Sequence, residues 1–268
     1  MKAWKSMLLG APAALAGGTS STVWAENEIP FEEAFLFFEL NDTDGDLGIH
    51  GKLDGEGWRW IRIEDLNETT LMTLRTGGRL WRQGLTELFF ESTEPPFDEL
   101  PPARFFKRFP EGTYEIEGRT LDGLELESEV DISHTMPAPA VVTVNSLSMA
   151  LQCDPEEPGY DASVVAAPVQ IAWTPVTMSH PDPDGGGAGV QPPIPVTIQN
   201  YEVVVEATLE ILGEEFVAVF SSVLPPTQTS MTVPAEFLGL TDTFKYEVLA
   251  REENFNQTAV ESCFVLGP

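Results

Sequence analysis

The sharpest run of chemistry-bearing residues is Asp42-Thr-Asp44-Gly-Asp46. Alternate carboxylates on a tight turn converge oxygens that suit a hard cation such as Ca²⁺. The same residues also make an ordinary solvated hairpin turn, because Asp-Gly accepts the positive φ such turns need. A second constellation is Trp58, Trp60 and Trp81 with Arg59, Arg62, Arg79 and Arg82. Exposed indoles stack on sugars, and guanidinium groups clasp acids in fork geometry. Against this, Trp58 and Trp60 stand two apart, which on a regular strand puts both on one face, the pattern of a buried one. A third stretch, from Thr174 to Ile198, is rich in Pro and Gly and carries His180 and Asp184. Long loops at the end of a β-sandwich often bear binding sites, although a long surface insertion is also tolerated without function, which is the plainer reading. Trp58, Trp60, Arg62, His180 and Asp184 are therefore the candidate binding surface, and Asp42, Asp44 and Asp46 the candidate metal ligands.

No catalytic template is met. His50, His134 and His180 lack a zinc-ligand spacing, and neither a nucleophile elbow nor a phosphate-binding glycine loop occurs. The acidic turn is similar to the opening of an EF-hand loop, but Leu53 stands where that loop closes on Glu. Ca²⁺ is thus the sole cofactor to consider, and the chain is expected not to be an enzyme. A glycosidase pair needs only spatial proximity, so the 43 acidic side chains leave a polysaccharide-directed hydrolase, or its carbohydrate-binding accessory, as the alternative. A formal charge of −29 excludes a nucleic-acid partner, since phosphate binding needs the Lys and Arg this chain lacks. With 42% hydrophobic residues the chain can fill a core. Beyond the N-terminus no apolar run reaches the roughly 18 residues of a spanning helix.

The N-terminus reads as an export signal. Lys2 and Lys5 precede a short apolar run from Met7 to Gly17, and Val23 and Ala25 fit a signal-peptidase site cleaving after Ala25. The mature protein is then secreted or periplasmic. Its two cysteines, Cys153 and Cys263, meet oxidising conditions and are expected to pair. Closing so long a loop would contribute about 4–5 kcal/mol by chain entropy.

Behind residues 1–25 the chain divides into an N-terminal β-rich domain (26–134), a Pro/Ala connector (135–140) and a second domain (141–268). Past the connector the only basic residues are Lys245 and Arg251, a composition shift that supports the boundary. The second domain shows seven short β-prone runs with turn chemistry between them: Val141–Val144, Pro168–Trp173, Tyr201–Ala207, Phe216–Phe220, Ser230–Val233, Phe244–Ala250 and Ala259–Val265. The first shows further runs at Ala34–Leu40, Leu47–Leu53, Trp58–Ile63, Thr70–Arg75 and Leu85–Glu91. It closes with a hairpin across Asp122-Gly123, and Pro101–Arg108 forms its one short helix. The fold class is all-β, two β-sandwich-like domains in tandem.

From residue 137 or so to the end, the chain resembles a fibronectin type III domain. The resemblance rests on Ile171-Ala-Trp173-Thr-Pro175, Tyr201-Glu-Val203, Thr229–Pro234 and Leu240–Ala250, in that order. It implies structural roles for Trp173, Tyr201, Leu240 and Tyr246. Leu240, six residues before Tyr246, has the spacing of a tyrosine corner, in which the phenol bonds back to upstream backbone. Two features depart from the family: the cysteine pair and the long Thr174–Ile198 link. Phe109–Ile116 is loosely similar to the close of bacterial immunoglobulin-like modules. Such domains act as spacers or binding platforms, so the resemblance implies a non-catalytic protein that contacts another protein or a glycan.

Overall fold

The computed structural model describes residues 28–181 and 193–267. The expected signal segment and Asp184 lie outside the described residues. The fold is mostly β, with sheets in a sandwich-like arrangement. It comprises two compact units. One holds residues 28–39 and Leu47–Thr135; the other holds Leu40–Asp46 and, of the described residues, 136–181 and 193–267.

The N-terminal unit begins with β1 (Glu28–Ile29), β2 (Glu33–Asn41), β3 (Asp46–Asp65) and β4 (Thr70–Arg75). A short helical turn α1 (Leu80–Gln83), β5 (Leu85–Glu91), α2 (Pro102–Arg108), β6 (Gly112–Thr120) and β7 (Glu125–Ile132) complete it. The strand order is β1-β7-β6-β3-β2, with β4 and β5 also pairing β3. The twenty-residue β3 is the unit's axis. Strand β5 pairs it from His50 to Trp58, while β6 pairs it from Trp58 onward and β4 from Trp60. The β6–β7 hairpin turns at Gly123, whose φ of +90° a side chain would resist. Pro102 sits in the first turn of α2, where a missing N–H costs nothing, and the helix buries Phe105 and Phe106. Both phenylalanines meet Phe38 edge-on, at 5.5 and 5.6 Å between ring centroids. Leu36, Phe37, Leu53, Ile61, Ile63, Ile116 and Leu126 fill the rest of this core.

The C-terminal unit contains β8 (Val142–Val144), β9 (Leu147–Ser148), β10 (Ser163–Val165), β11 (Gln170–Trp173), β12 (Ile198–Ile211) and β13 (Glu214–Leu224). It ends with β14 (Ser230–Thr232), α3 (Ala235–Leu238), β15 (Thr243–Glu252) and β16 (Gln257–Leu266). One sheet runs β14-β11-β8-β9; the other runs β16-β15-β12-β13, with β10 parallel to β16. The first, second and fifth of the seven expected strands thus share one sheet, and the remaining four share the other. Val142, Ile171, Trp173, Val203, Val205, Val248 and Phe264 alternate inward to form one buried cluster. Cys153 is bonded to Cys263 on β16, with Cα atoms 5.7 Å apart. The segment Leu40–Asp46 joins this unit through β16. The Asp42 N–H donates to Ala259 O at 3.0 Å, the Asn41 amide donates to the Glu261 carboxylate at 2.7 Å, and the Glu261 N–H donates to Thr43 Oγ1 at 2.8 Å.

The unit also holds a buried polar knot. Arg251 is 3% exposed, and it donates to Gln257 at 2.8 Å, to Asn200 at 3.1 Å and to Glu202 at 3.3 Å. The other Glu202 oxygen accepts from Ser221 Oγ at 2.6 Å.

Candidate functional site

The arginine–tryptophan constellation becomes a surface through a break in β3. Trp58 opposes Thr120 and Trp60 opposes Arg119, so two steps along β3 match one along β6 and Arg59 is the extra residue. Such a bulge reverses which face the following residues occupy and re-aims the bulged side chain. Its carbonyl is not wasted, since it accepts from both the N–H and the hydroxyl of Thr76, at 2.8 and 2.9 Å. The Arg59 side chain turns toward α1, where Nε donates to Trp81 O at 3.2 Å and the guanidinium lies 5.3 Å from the centre of the Trp81 ring. Arg75, at the end of β4, approaches the same ring at 5.9 Å. Trp60 is the cross-strand neighbour of Arg75 on one side and of Arg119 on the other. α1 buries none of its residues, and Trp81 keeps 41% of its surface exposed. Two guanidinium groups and an exposed indole therefore cluster on a chain with 14 basic residues in all.

The bulge also corrects the expected alternation. Trp58 and Trp60 do not share a face. Trp58 falls in phase with Ile61 and Ile63, all three fully buried, and is part of the core rather than of any binding surface. Trp60 and Arg62 point the other way. Arg62 is engaged by Glu117 at 2.7 Å and Glu64 at 3.2 Å, and the Glu117 hydrogen bond holds its guanidinium above the usual arginine range. The acidic turn is organised by Asn41, whose side-chain oxygen accepts from the N–H of Thr43 and of Asp44, both at 3.1 Å. The Asp42 carboxylate lies 2.9 Å from His180 Nε2, so two residues from separate sequence candidates meet. Trp173 and Tyr201 pack at 5.3 Å between ring centroids, and the Tyr201 hydroxyl accepts from the Val176 N–H at 2.8 Å. The expected tyrosine corner is not formed. Tyr246 sits inside β15 opposite Ser262, its buried hydroxyl without a well-formed hydrogen bond, while Leu240 is 43% exposed in the turn ahead. Burial raises the Tyr246 pKa, and Ser262 offsets part of that.

One group among the described residues escaped sequence reasoning. Glu39 on β2, His50 on β3 and Glu94 beyond β5 bring one ligand atom each within 4.8 Å of one another. His50 and Glu39 are each 2% exposed. His50 Nε2 lies 3.1 Å from Glu94 Oε1, and Phe37 stacks on the imidazole at 5.2 Å. Burial works to lower the His50 pKa. The charge of Glu39, the hydrogen bond and charge of Glu94, and the charge of Glu91 outweigh it, so the net shift is upward. Glu39 and His50 flank the acidic turn on the two strands it connects, which a hairpin reading could have paired. Nothing in the sequence pointed to Glu94.

No protein-family model matches the chain, and no curated protein matches it. Among solved structures it is similar to a tetra-tandem repeat from the extending region of a large adhesion protein. Identity there is 14% over 88% of this chain and 50% of that one, with a TM-score of 0.22. A 1.5-MDa bacterial ice-binding adhesin matches at 12% identity over 89% of this chain and 65% of that one, with a TM-score of 0.21. Red sea bream transglutaminase matches at 9% over 88% of this chain and 31% of that one, with a TM-score of 0.22. The chain spans about half the length of the first of these structures and under two thirds of the second. At these scores the likenesses transfer neither fold nor function.

Proposed function

We propose that the chain is a secreted, non-catalytic β-module protein that contacts a carboxylate-bearing extracellular glycan through its N-terminal unit. In this reading residues 1–25 are removed on export, 26–134 carry the contact, and the fibronectin type III-like residues 141–268 serve as a disulfide-closed spacer. The observation that carries it is the Arg59–Trp81–Arg75 cluster. An indole offers a flat apolar face to sugar C–H groups, and flanking guanidinium groups offer paired donors to a carboxylate. A chain otherwise crowded with acid repels anionic surfaces, so contact with one is confined to the place where cations gather. The test is a glycan array with purified residues 26–268. Uronic-acid polysaccharides should bind, with affinity falling as salt rises and dropping at least tenfold in Trp81→Ala. An array without hits, or binding that Trp81→Ala and Arg59→Ala leave intact, overturns the proposal. Release of reducing ends from a bound polysaccharide would replace it with the hydrolase alternative.

A further inference from the structure

The Glu39–His50–Glu94 group lies apart from the arginine–tryptophan surface, and the contact role makes no use of it. It has the features of a metal site rather than of a solvated acidic patch. Two of its three members are almost wholly buried, on adjacent strands, and one of those two is an imidazole. The ring can ligate through Nε2, which faces Glu94 Oε1 at 3.1 Å, and its buried Nδ1 has no hydrogen-bond partner among the described residues. Space for Glu94 exists because residue 48 is glycine. A Cβ on Gly48 would lie 2.4 Å from Glu94 Oε1 and 2.7 Å from its Cγ. Phe37 stacks on the ring, and Phe89 meets it edge-on at 6.3 Å, so the imidazole is held in an apolar collar.

We propose that Glu39, His50 and Glu94 bind one divalent first-row transition ion of the Zn²⁺ type, which clips the β2–β3 pair to the segment following β5. Ligand lengths near 2.1 Å place neighbouring donors of a tetrahedral ion about 3.4 Å apart. The His50–Glu94 pair is already at 3.1 Å, and all three ligand atoms lie within 4.8 Å of one another. The remaining closure is within reach of a glutamate side chain rotating about its own bonds. One imidazole with two carboxylates is a mixed nitrogen–oxygen set, which suits Zn²⁺ and its neighbours. The hard, oxygen-seeking Ca²⁺ and Mg²⁺ are poorly served by the imidazole and by so few oxygens.

The experiment uses the full mature chain, stripped with chelator and titrated with Zn²⁺ and Co²⁺ in the presence of millimolar Mg²⁺ to saturate surface carboxylates. One equivalent should bind, Co²⁺ should give visible d–d absorption, and the melting temperature should rise with either ion. His50→Gln should lower affinity at least a hundredfold. Glu94→Gln, at a partly exposed loop position, keeps the test open if His50→Gln fails to fold, and it too should weaken binding at least tenfold. Gly48→Ala, which removes no ligand, should weaken binding by crowding Glu94. Absence of a one-equivalent site in the wild-type chain overturns the proposal. So does a site whose affinity and Co²⁺ spectrum survive both Glu94→Gln and His50→Gln. Glycan binding lost in Trp81→Ala with the one-equivalent metal site retained would support the metal site as independent of the contact surface.

Discussion

Replacing Arg251 with Met tests whether the C-terminal unit is organised around one buried cation. The side chain is 3% exposed and serves Gln257, Asn200 and Glu202 together. Methionine fills much of the same volume but donates nothing. Glu202, itself 1% exposed, would keep its charge and its Ser221 hydroxyl but lose its guanidinium. Breaking a buried pair by removing one member costs about 3–5 kcal/mol, because the other charge stays in the interior. At roughly 2–4 °C per kcal/mol for a chain of this size, the melting temperature should fall by about 6–20 °C. The mechanism is specific, so it carries a second test. In the double variant Arg251→Met with Glu202→Gln no charge is stranded, and most of the lost stability should return. Calorimetric melts of the four proteins in the cycle provide the measurement. A fall below about 2 °C in the single variant, or a double variant that melts no higher than the single, would refute the account. The first outcome would mean water already reaches the pair; the second, that the cost lies in packing.

Two other predictions concern single positions. Glu252 is 2% exposed, and its pKa is pushed up to about 7, chiefly by burial, with Glu253 adding to it. A carboxyl whose folded pKa exceeds its unfolded value binds protons more tightly when folded, so stability should fall as pH rises from about 4.5 to about 7 and level off above. Glu252→Gln should remove that decline, adding on the order of 1–3 kcal/mol at pH 8 and little at pH 4 in urea titrations, with part of the shift screened by solvent. A variant whose pH profile matches the parent's would show that Glu252 is ionised at no cost. For the bulge at Arg59, Trp58→Ala should cost about 3–5 kcal/mol and Trp60→Ala under about 1 kcal/mol, read as urea midpoints. Equal losses would mean that both indoles face the core.

Seven of the nine strands of the C-terminal unit were legible because each is a short apolar or alternating run set off by turn residues. Val203 and Val205 face inward and Glu206 does not, and no distant information is needed to see it. The disulfide was legible from number alone, since only two cysteines were available. The tyrosine corner failed for the converse reason. Spacing from Leu240 cannot say where along the strand Tyr246 will sit, and it sits inside β15, opposite Ser262 on β16. Glu94 was invisible because its partners lie 44 and 55 positions back, brought to it by β5 pairing with β3.

The bulge is the instructive case, because its signal is present in the sequence. In Trp58-Arg-Trp-Ile-Arg-Ile63 the apolar residues at 58 and 60 keep one phase and those at 61 and 63 keep the other. A regular strand cannot bury both sets while one face meets water, so the adjacent pair Trp60-Ile61 already requires either a strand covered on both faces or an inserted residue. The arginines decide between them. With Arg59 and Arg62 interleaved, a doubly covered strand would bury two guanidinium groups, whereas one extra residue lets Trp58, Ile61 and Ile63 point inward together and leaves Arg62 outside. The phase change therefore locates the bulge within a residue or two. The bulge in turn swings Arg59 over Trp81, so the geometry of the proposed contact surface follows from a break in alternation.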